Sequence, residues 1–366
     1  MSSEEPTVDE IFGVLRPWEA RWRDRQQFLE AHGYMLRPRY HPGWTPSWRG
    51  TGKHPLFYED AITLPPREHL IDATRIADGR LVYTKRIKTG DNELQIATML
   101  SAESLLHDPM NHCIRVLEIF QDTEHQSISY MVMPFLVLID SIPFEIVENI
   151  VDFTDQILEV WWISSVAITP ADPTDCTYKN LMMDVNALYP QGFHPVNDLF
   201  FPDGLTPLPY HSRTDAPITY YYIDFGISVV IPPDVHPKLA LGDNGRDQEV
   251  PELSLTIPYD PFKVDSFIIG NVLRHEFRDK FSNVYFLIPL IESMTRTDPH
   301  ERPDAARALT EWQNIRCKLG YMQRRWRLRP RGETWLWKVI SDAVSFVGTT
   351  FYLCKTVFGW VIESSG

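Results

Sequence analysis

Five side chains in this sequence have types and settings suited to handling charge. Asp175 and Asn180 stand five apart in "PADPTDCTYKNLMMD", a polar run that ends in an apolar Leu-Met-Met. This reads as a working loop leading into a strand. Lys85 lies near the end of "LVYTKRIK", Glu93 near the head of "NELQIATML", and Asp224 opens a "DFG" after the apolar "YYYI". Carboxylates and carboxamides are hard oxygen donors, a carboxylate can take a proton from a hydroxyl, and a lysine brings a compact positive charge. Each feature alone has an ordinary reading: a solvated strand lysine, a surface helix glutamate, a chance pairing of Asp and Asn. Their order along the chain is what makes them a set.

The elements that must position these groups follow from periodicity. "EDAITL", "LIDATRI" and "RLVYTKRI" alternate as strands, and "ADG" between the last two is a hairpin signal. "NELQIATMLSAESLL" has the apolar spacing of a helix. "HCIRVLEIFQD" and "SISYMVMPFL" read as two further strands joined by the polar "TEHQ". After Pro134 the text turns helical, in "PFEIVENIVDFTDQILEVWW", "PFKVDSFIIGNVLRHEF", "NVYFLIPLIESMTR" and "PDAARALTEWQNIRCKL". The fold class is therefore α+β: a small antiparallel β-rich lobe with one helix, then a larger helical lobe. Residues 1–57 read as an N-terminal arm with two short helices and an extended stretch pinned by aromatics. Residues 58–133 form the first lobe and 134–320 the second, with an insertion at 185–219. Residues 321–366 form a basic and apolar helical tail.

Composition bounds the function. The chain has 366 residues, 43% hydrophobic and 23% charged, enough for a two-lobed globular body. A net charge of −14 argues against nucleic acid as a partner. The four cysteines form no CxxC pair, which points to a reducing, intracellular setting, and the acidic N-terminus is no signal peptide. In the tail, residues 335–362 are strongly apolar, yet the longest uncharged stretch, Ala343 to Cys354, has 12 residues. A bilayer span needs about 20. The expectation is an amphipathic helix that docks on the body or frays, with weak membrane association as the alternative.

Taken together, Lys85, Glu93, "DCTYKN" and "DFG" in this order resemble the protein kinase superfamily over roughly residues 58–315. "LRPRYHPGWTPSW", "DCTYKNLMMD", "YYYIDFGIS" and "IPYDPFKVDSFIIGNVL" are similar to divergent kinase-like proteins of mushroom-forming fungi. The resemblance implies ATP and Mg²⁺ as cofactors and a protein hydroxyl, on Ser/Thr or Tyr, as acceptor. It gives Lys85 the α- and β-phosphates, with Glu93 holding that lysine, and Asn180 and Asp224 the metal. Asp175 becomes the catalytic base. Lys88 is the rival for the Lys85 role, but "VYTK" fits the V-A-I-K frame better. "YMVMPFL" resembles the adenine hinge, with Met133 as gatekeeper, the Pro134 carbonyl and the Leu136 N–H facing the base. "VPEL" resembles the end of an activation segment, Asp265 the aspartate that binds the catalytic loop, and Arg302 the buried, ionised partner of Glu252.

The sequence also departs from that family. "LPPREH" stands where a glycine-rich loop is expected, so Pro65 and Pro66 remove two backbone donors. Arg67 could reach the phosphates instead, although a solvated loop arginine is the ordinary reading. Pro173 and Thr174 replace the His-Arg that leads the catalytic loop, and Thr177 replaces a lysine. Asn180 and Asp224 are separated by 43 residues, so 185–219 is an insertion beside the cleft. Its His194 and His211 read as surface residues. Two functions stay open: a weak ATP-dependent protein kinase, or a pseudokinase that binds nucleotide or acts as a scaffold.

Overall fold

The computed structural model describes residues 7–346 except 66, 168–170, 173–175, 198–199, 227–228, 231–234 and 244. Its first elements are helices α1 (Val8–Phe12), α2 (Pro17–Arg23) and α3 (Gln26–Ala31) and strand β1 (Tyr34–Met35). Then come β2 (Leu70–Arg75), β3 (Leu81–Lys88), α4 (Asn92–Leu100), α5 (Glu103–Leu106), β4 (Glu118–Gln121) and β5 (Ile128–Pro134). The five strands form one antiparallel sheet in the order β1-β2-β3-β5-β4. In β3 the two-residue alternation sends Val82 and Thr84 to a buried face and Tyr83 and Lys85 to the other.

Two expectations change here. The "EDAITL" alternation is not a strand but a 3-10 turn, Glu59–Ala61. Its apparent period comes from Asp60, which is buried because its carboxylate accepts bonds from Trp44 Nε1 and Ser47 N at 2.9 Å. The fifth strand is instead Tyr34–Met35, from inside the segment read as an arm. That arm is more than aromatics laid on the surface. Trp22, Leu29, Tyr34 and Tyr40 share a core with Val82, Phe120 and Tyr130 of the sheet. At its centre Arg39, fully buried, donates from Nε to Glu19 Oε1 at 2.9 Å. The same guanidinium donates to the carbonyls of Phe12 at 2.7 Å and Asp60 at 2.9 Å.

The rest of the chain is mainly helical. It comprises β6 (Val137–Leu138), α6 (Val147–Ala167), β7 (Ala171–Asp172), β8 (Leu181–Asp184), β9 (Thr219–Tyr222), β10 (Val229–Val230), β11 (Ala240–Gly242) and β12 (Ser254–Tyr259). Helices α7 (Pro261–Leu273), α8 (Ile288–Met294), α9 (Ala305–Arg316) and α10 (Tyr321–Arg324) complete it. Helix α6 continues through the β-branched Ile163 to Ala167, past the aromatic pair at which its apolar pattern stops. The short strands pair as β6-β8-β9, β7-β10 and β11-β12. Helix α7 starts at Asp260, whose side chain accepts from Phe262 N at 3.0 Å, with Pro261 at the first helical position. It is buried almost throughout, and Gly270 lets it approach α8: a Cβ there would lie 2.9 Å from Met294 Cβ. Asp265 on this helix is fully buried, while residues 173–175 of the loop that it is expected to bind lie outside the described residues. Arg302 is buried and binds Glu252 with two nitrogens, at 2.5 and 2.9 Å.

The insertion is packed rather than draped. Leu188, Tyr189 and Phe193 join the main core. His194, expected at the surface, is fully buried. Its Nδ1 accepts from Val196 N at 3.2 Å and Asn197 N at 3.0 Å, so Nε2 carries the hydrogen donated to Glu59 at 3.2 Å. Arg37 donates to the same Glu59 and to Asp72 of β2, at 3.1 and 3.0 Å. Burial pushes the Glu59 carboxyl up, but the bonds from His194 and Arg37 outweigh it, and it titrates below its ordinary range.

The helix of the tail is tied to the body through one side chain while its apolar side chains stay exposed. Residues 335–346 are helical, and Asp342 pairs with Arg327 at 2.6 Å and Arg329 at 2.7 Å. Much of the basic run is thus consumed internally. The helix does not bury its apolar side chains: Trp335 is 75% and Trp337 64% exposed. Among the described residues no helix is long and apolar enough to cross a membrane. Residues 347–366 fall outside them.

Candidate functional site

A cleft of about 490 Å³ lies between the five-stranded sheet and the helical part. Lys85 enters it from the middle of the sheet, where it pairs in register with Leu70 of β2 and Met131 of β5. Glu93 reaches it from the first turn of α4, whose N-cap Asp91 accepts from Glu93 N at 3.2 Å. Asp224 comes directly after β9. Three distant segments therefore meet at one ammonium. Lys85 Nζ lies 2.5 Å from Glu93 Oε1 and 3.1 Å from Asp224 Oδ1. The rival, Lys88, is exposed and does not line the cleft.

The electrostatics follow from this meeting. Burial alone lowers the Lys85 pKa, but the two carboxylates beside it outweigh that and raise it. Lys85 is therefore a fixed cation at neutral pH. Burial raises the Glu93 carboxyl above its usual range, and the opposing pull of Lys85 does not fully cancel that effect. Asp224 is the more open of the two carboxylates, with its side chain 43% exposed against 9% for Glu93. It has φ +64°, the one non-glycine residue with positive φ among the described residues. Such conformations cost about 1–3 kcal/mol and persist where surrounding structure enforces them. Here the enforcement is visible on both sides: Ile223 N donates to Asn180 O at 3.0 Å, and Phe225 is buried in the core.

That Ile223 bond also ties Asp224 to the opposite wall. Asn180 ends a 3-10 turn, Tyr178–Asn180, and is 3% exposed. Both Asn180 and Asp224 line the cleft and present oxygen donors. At the far end Met133, Pro134 and Leu136 form an apolar wall where β5 leaves the sheet. Tyr83 stacks on Phe135 there, with ring centroids 4.2 Å apart. Seven of the eight residues singled out in the sequence thus line one cavity. The eighth, Asp175, lies outside the described residues.

Further lining residues were not picked out by sequence reasoning. Tyr83 is two residues before Lys85, so strand alternation puts it on the same face. Met182 belongs to the apolar run after Asn180, where the same alternation applies. Lys179 immediately precedes Asn180 and is exposed in the cleft. Arg246 reaches in from the segment after β11 and has no local signal in its sequence. Among the described residues no cluster of three or more His, Cys, Asp or Glu could hold a metal.

No protein-family model matches the chain, and a search of curated proteins finds no match either.

Proposed function

We propose that the protein has a protein-kinase-like two-lobed fold and binds ATP with Mg²⁺ in this cleft, transferring the terminal phosphoryl group to a protein hydroxyl. One observation carries the reading: Lys85 meets both Glu93 and Asp224, 8 and 139 residues away in sequence, on the wall of a cleft that Asn180 also lines. Phosphoryl transfer asks little covalent work of a protein and much positioning and charge neutralisation. A fixed lysine, oxygen donors and an apolar end suit those needs.

The donor set also fits the metal. Mg²⁺ is ordinarily held by one or two protein oxygens, with phosphate and water completing the shell. Asn180 and Asp224 fit that pattern, so the lack of a larger cluster is no obstacle. Asn180 and Asp224 would hold the ion, which would supply neutralisation of the phosphate charge. Lys85, released from Asp224, is left to face the nucleotide's phosphates while Glu93 keeps it in place. Met133 and Leu136 cover the base, and Asp175 accepts the hydroxyl proton.

A second reading, a pseudokinase, is favoured by one specific feature. The segment before β2 has Pro65 and Pro66 and no glycine, so it lacks flexible backbone donors for phosphate. Thermal-shift titration with ATP, with and without Mg²⁺, tests nucleotide binding. A ligand at one hundred times its Kd stabilises by about 2.7 kcal/mol. The Mg²⁺-dependent part is expected to vanish in Asp224→Ala, and no stabilisation of the wild type by ATP refutes the kinase reading and the nucleotide-binding form of the second, leaving the scaffold. Autophosphorylation abolished in Asp175→Asn supports the enzyme; none in the wild type, with ATP bound, supports the pseudokinase.

A further inference from the structure

The cleft is cationic in a chain that is strongly acidic. Its charged lining consists of Arg67, Lys85, Lys179 and Arg246 against Glu93 and Asp224, while the whole chain carries −14. Lys85 is already neutralised by its two carboxylates. Arg67 and Lys179 are different. Neither side chain makes an ion pair or hydrogen bond among the described residues, and Lys179 only leans on the Tyr178 ring at 4.8 Å. Most arginines of this protein are paired with carboxylates, including the exposed Arg21, Arg296 and Arg307. Two unpaired cations at one cavity, with an excess of carboxylates elsewhere, form a site that lacks its anion.

Their placement is informative. Arg67 stands just before β2, where the backbone is broken by prolines. Lys179 sits on the opposite wall, in the turn that carries Asn180. We propose that Arg67 and Lys179 close from the two walls on the polyphosphate of the ligand, supplying through side chains the contacts that a glycine-rich loop supplies through backbone N–H groups. The chemistry is that of a linear polyphosphate: a guanidinium takes two phosphate oxygens at once, and an ammonium takes a third as a point charge. Because neither group needs a metal, this part of the affinity persists without Mg²⁺, and it falls with salt. An anion shared by the two residues also ties the sheet to the helical part. The assignment rests on the nucleotide reading for the adenine end of the cleft alone.

Calorimetric titration of the full chain in EDTA tests it, using ATP, adenosine and inorganic tripolyphosphate on the wild type, Arg67→Gln, Lys179→Gln and the double variant. The expected result is that each substitution weakens ATP and tripolyphosphate about tenfold, as for loss of one charge-assisted contact, with adenosine affinity unchanged. Equal ATP-to-adenosine ratios in wild type and double variant overturn the proposal and leave the nucleotide reading standing. Tripolyphosphate binding that is lost in the double variant, with no adenosine binding at all, upholds the anion site and overturns the nucleotide reading. No binding of any of the three to the wild type overturns both.

Discussion

Replacing Glu19 by Ala tests whether the N-terminal segment is part of the folded body. Glu19 and Arg39 both have side chains at 0% exposure. The substitution removes the acceptor of Arg39 Nε at 2.9 Å, of Arg16 N at 2.8 Å and of Tyr40 Oη at 3.2 Å. It leaves a guanidinium inside the protein with only carbonyl partners. Breaking a buried pair by removing one partner costs about 3–5 kcal/mol. The surviving bonds to Phe12 O and Asp60 O put the expected loss near the lower end, about 3 kcal/mol. Replacing both residues, as Glu19→Ala with Arg39→Met, removes the stranded charge, so the double variant is expected to lose less than the two singles added together. Peptide-resolved hydrogen exchange is the assay, because it reads the opening of residues 8–48 separately from that of α7. Unchanged protection of the segment in Glu19→Ala, or strict additivity in the double variant, would falsify the idea that this pair holds the segment in place.

Two other outcomes follow from the site and its surroundings. In Gly226→Ala the new Cβ would lie 3.3 Å from Asp224 Oδ1 and 3.8 Å from Glu93 Oε2; displacing the Asp224 carboxylate is expected to cut the Mg²⁺-dependent part of ATP affinity about tenfold, and an unchanged Mg²⁺ increment refutes it. Asp152 is pushed up from the ordinary 3.8 to about 6, first by burial and then by the nearby Glu148 and Asp155. The native state therefore holds a proton that the unfolded chain releases, and stability falls as pH rises from about 4 to 6. Asp152→Asn is expected to melt higher than wild type at about pH 8 and to lose that advantage near pH 4; an equal difference at both pH values contradicts it. The gain is modest, because Asp152 remains exposed on one side.

Much of this was legible in the sequence, for a physical reason. Strands β2 to β5 and helices α4, α6 and α7 bury one face or all of their surface, so their apolar period announces them. Lys85 and Glu93 belong to such elements and Asp224 follows a strand, so their positions were legible; the pairing of Glu93 with Lys85 was implied by the resemblance, and the contact with Asp224 was not anticipated. Three things were hidden. A two-residue strand such as Tyr34–Met35 has no period. The buried polar groups Asp60, Glu19, Arg39 and His194 look like surface residues until their partners, 13 to 135 positions away, are in place. The cations Lys179 and Arg246 carry no local pattern, because their shared property is the cavity they face.

The bond between His194 and Glu59 spans 135 positions, and this bears on how the chain is made. A ribosome adds about 5–20 residues per second, so about 7–27 s pass between synthesis of Glu59 and of its partner. Through that interval Arg37, itself anchored on Asp72, is the side chain that holds Glu59. The cluster of Arg37, Glu59 and His194 is thus completed only after the insertion has emerged, so it locks the N-terminal segment late rather than guiding its first folding.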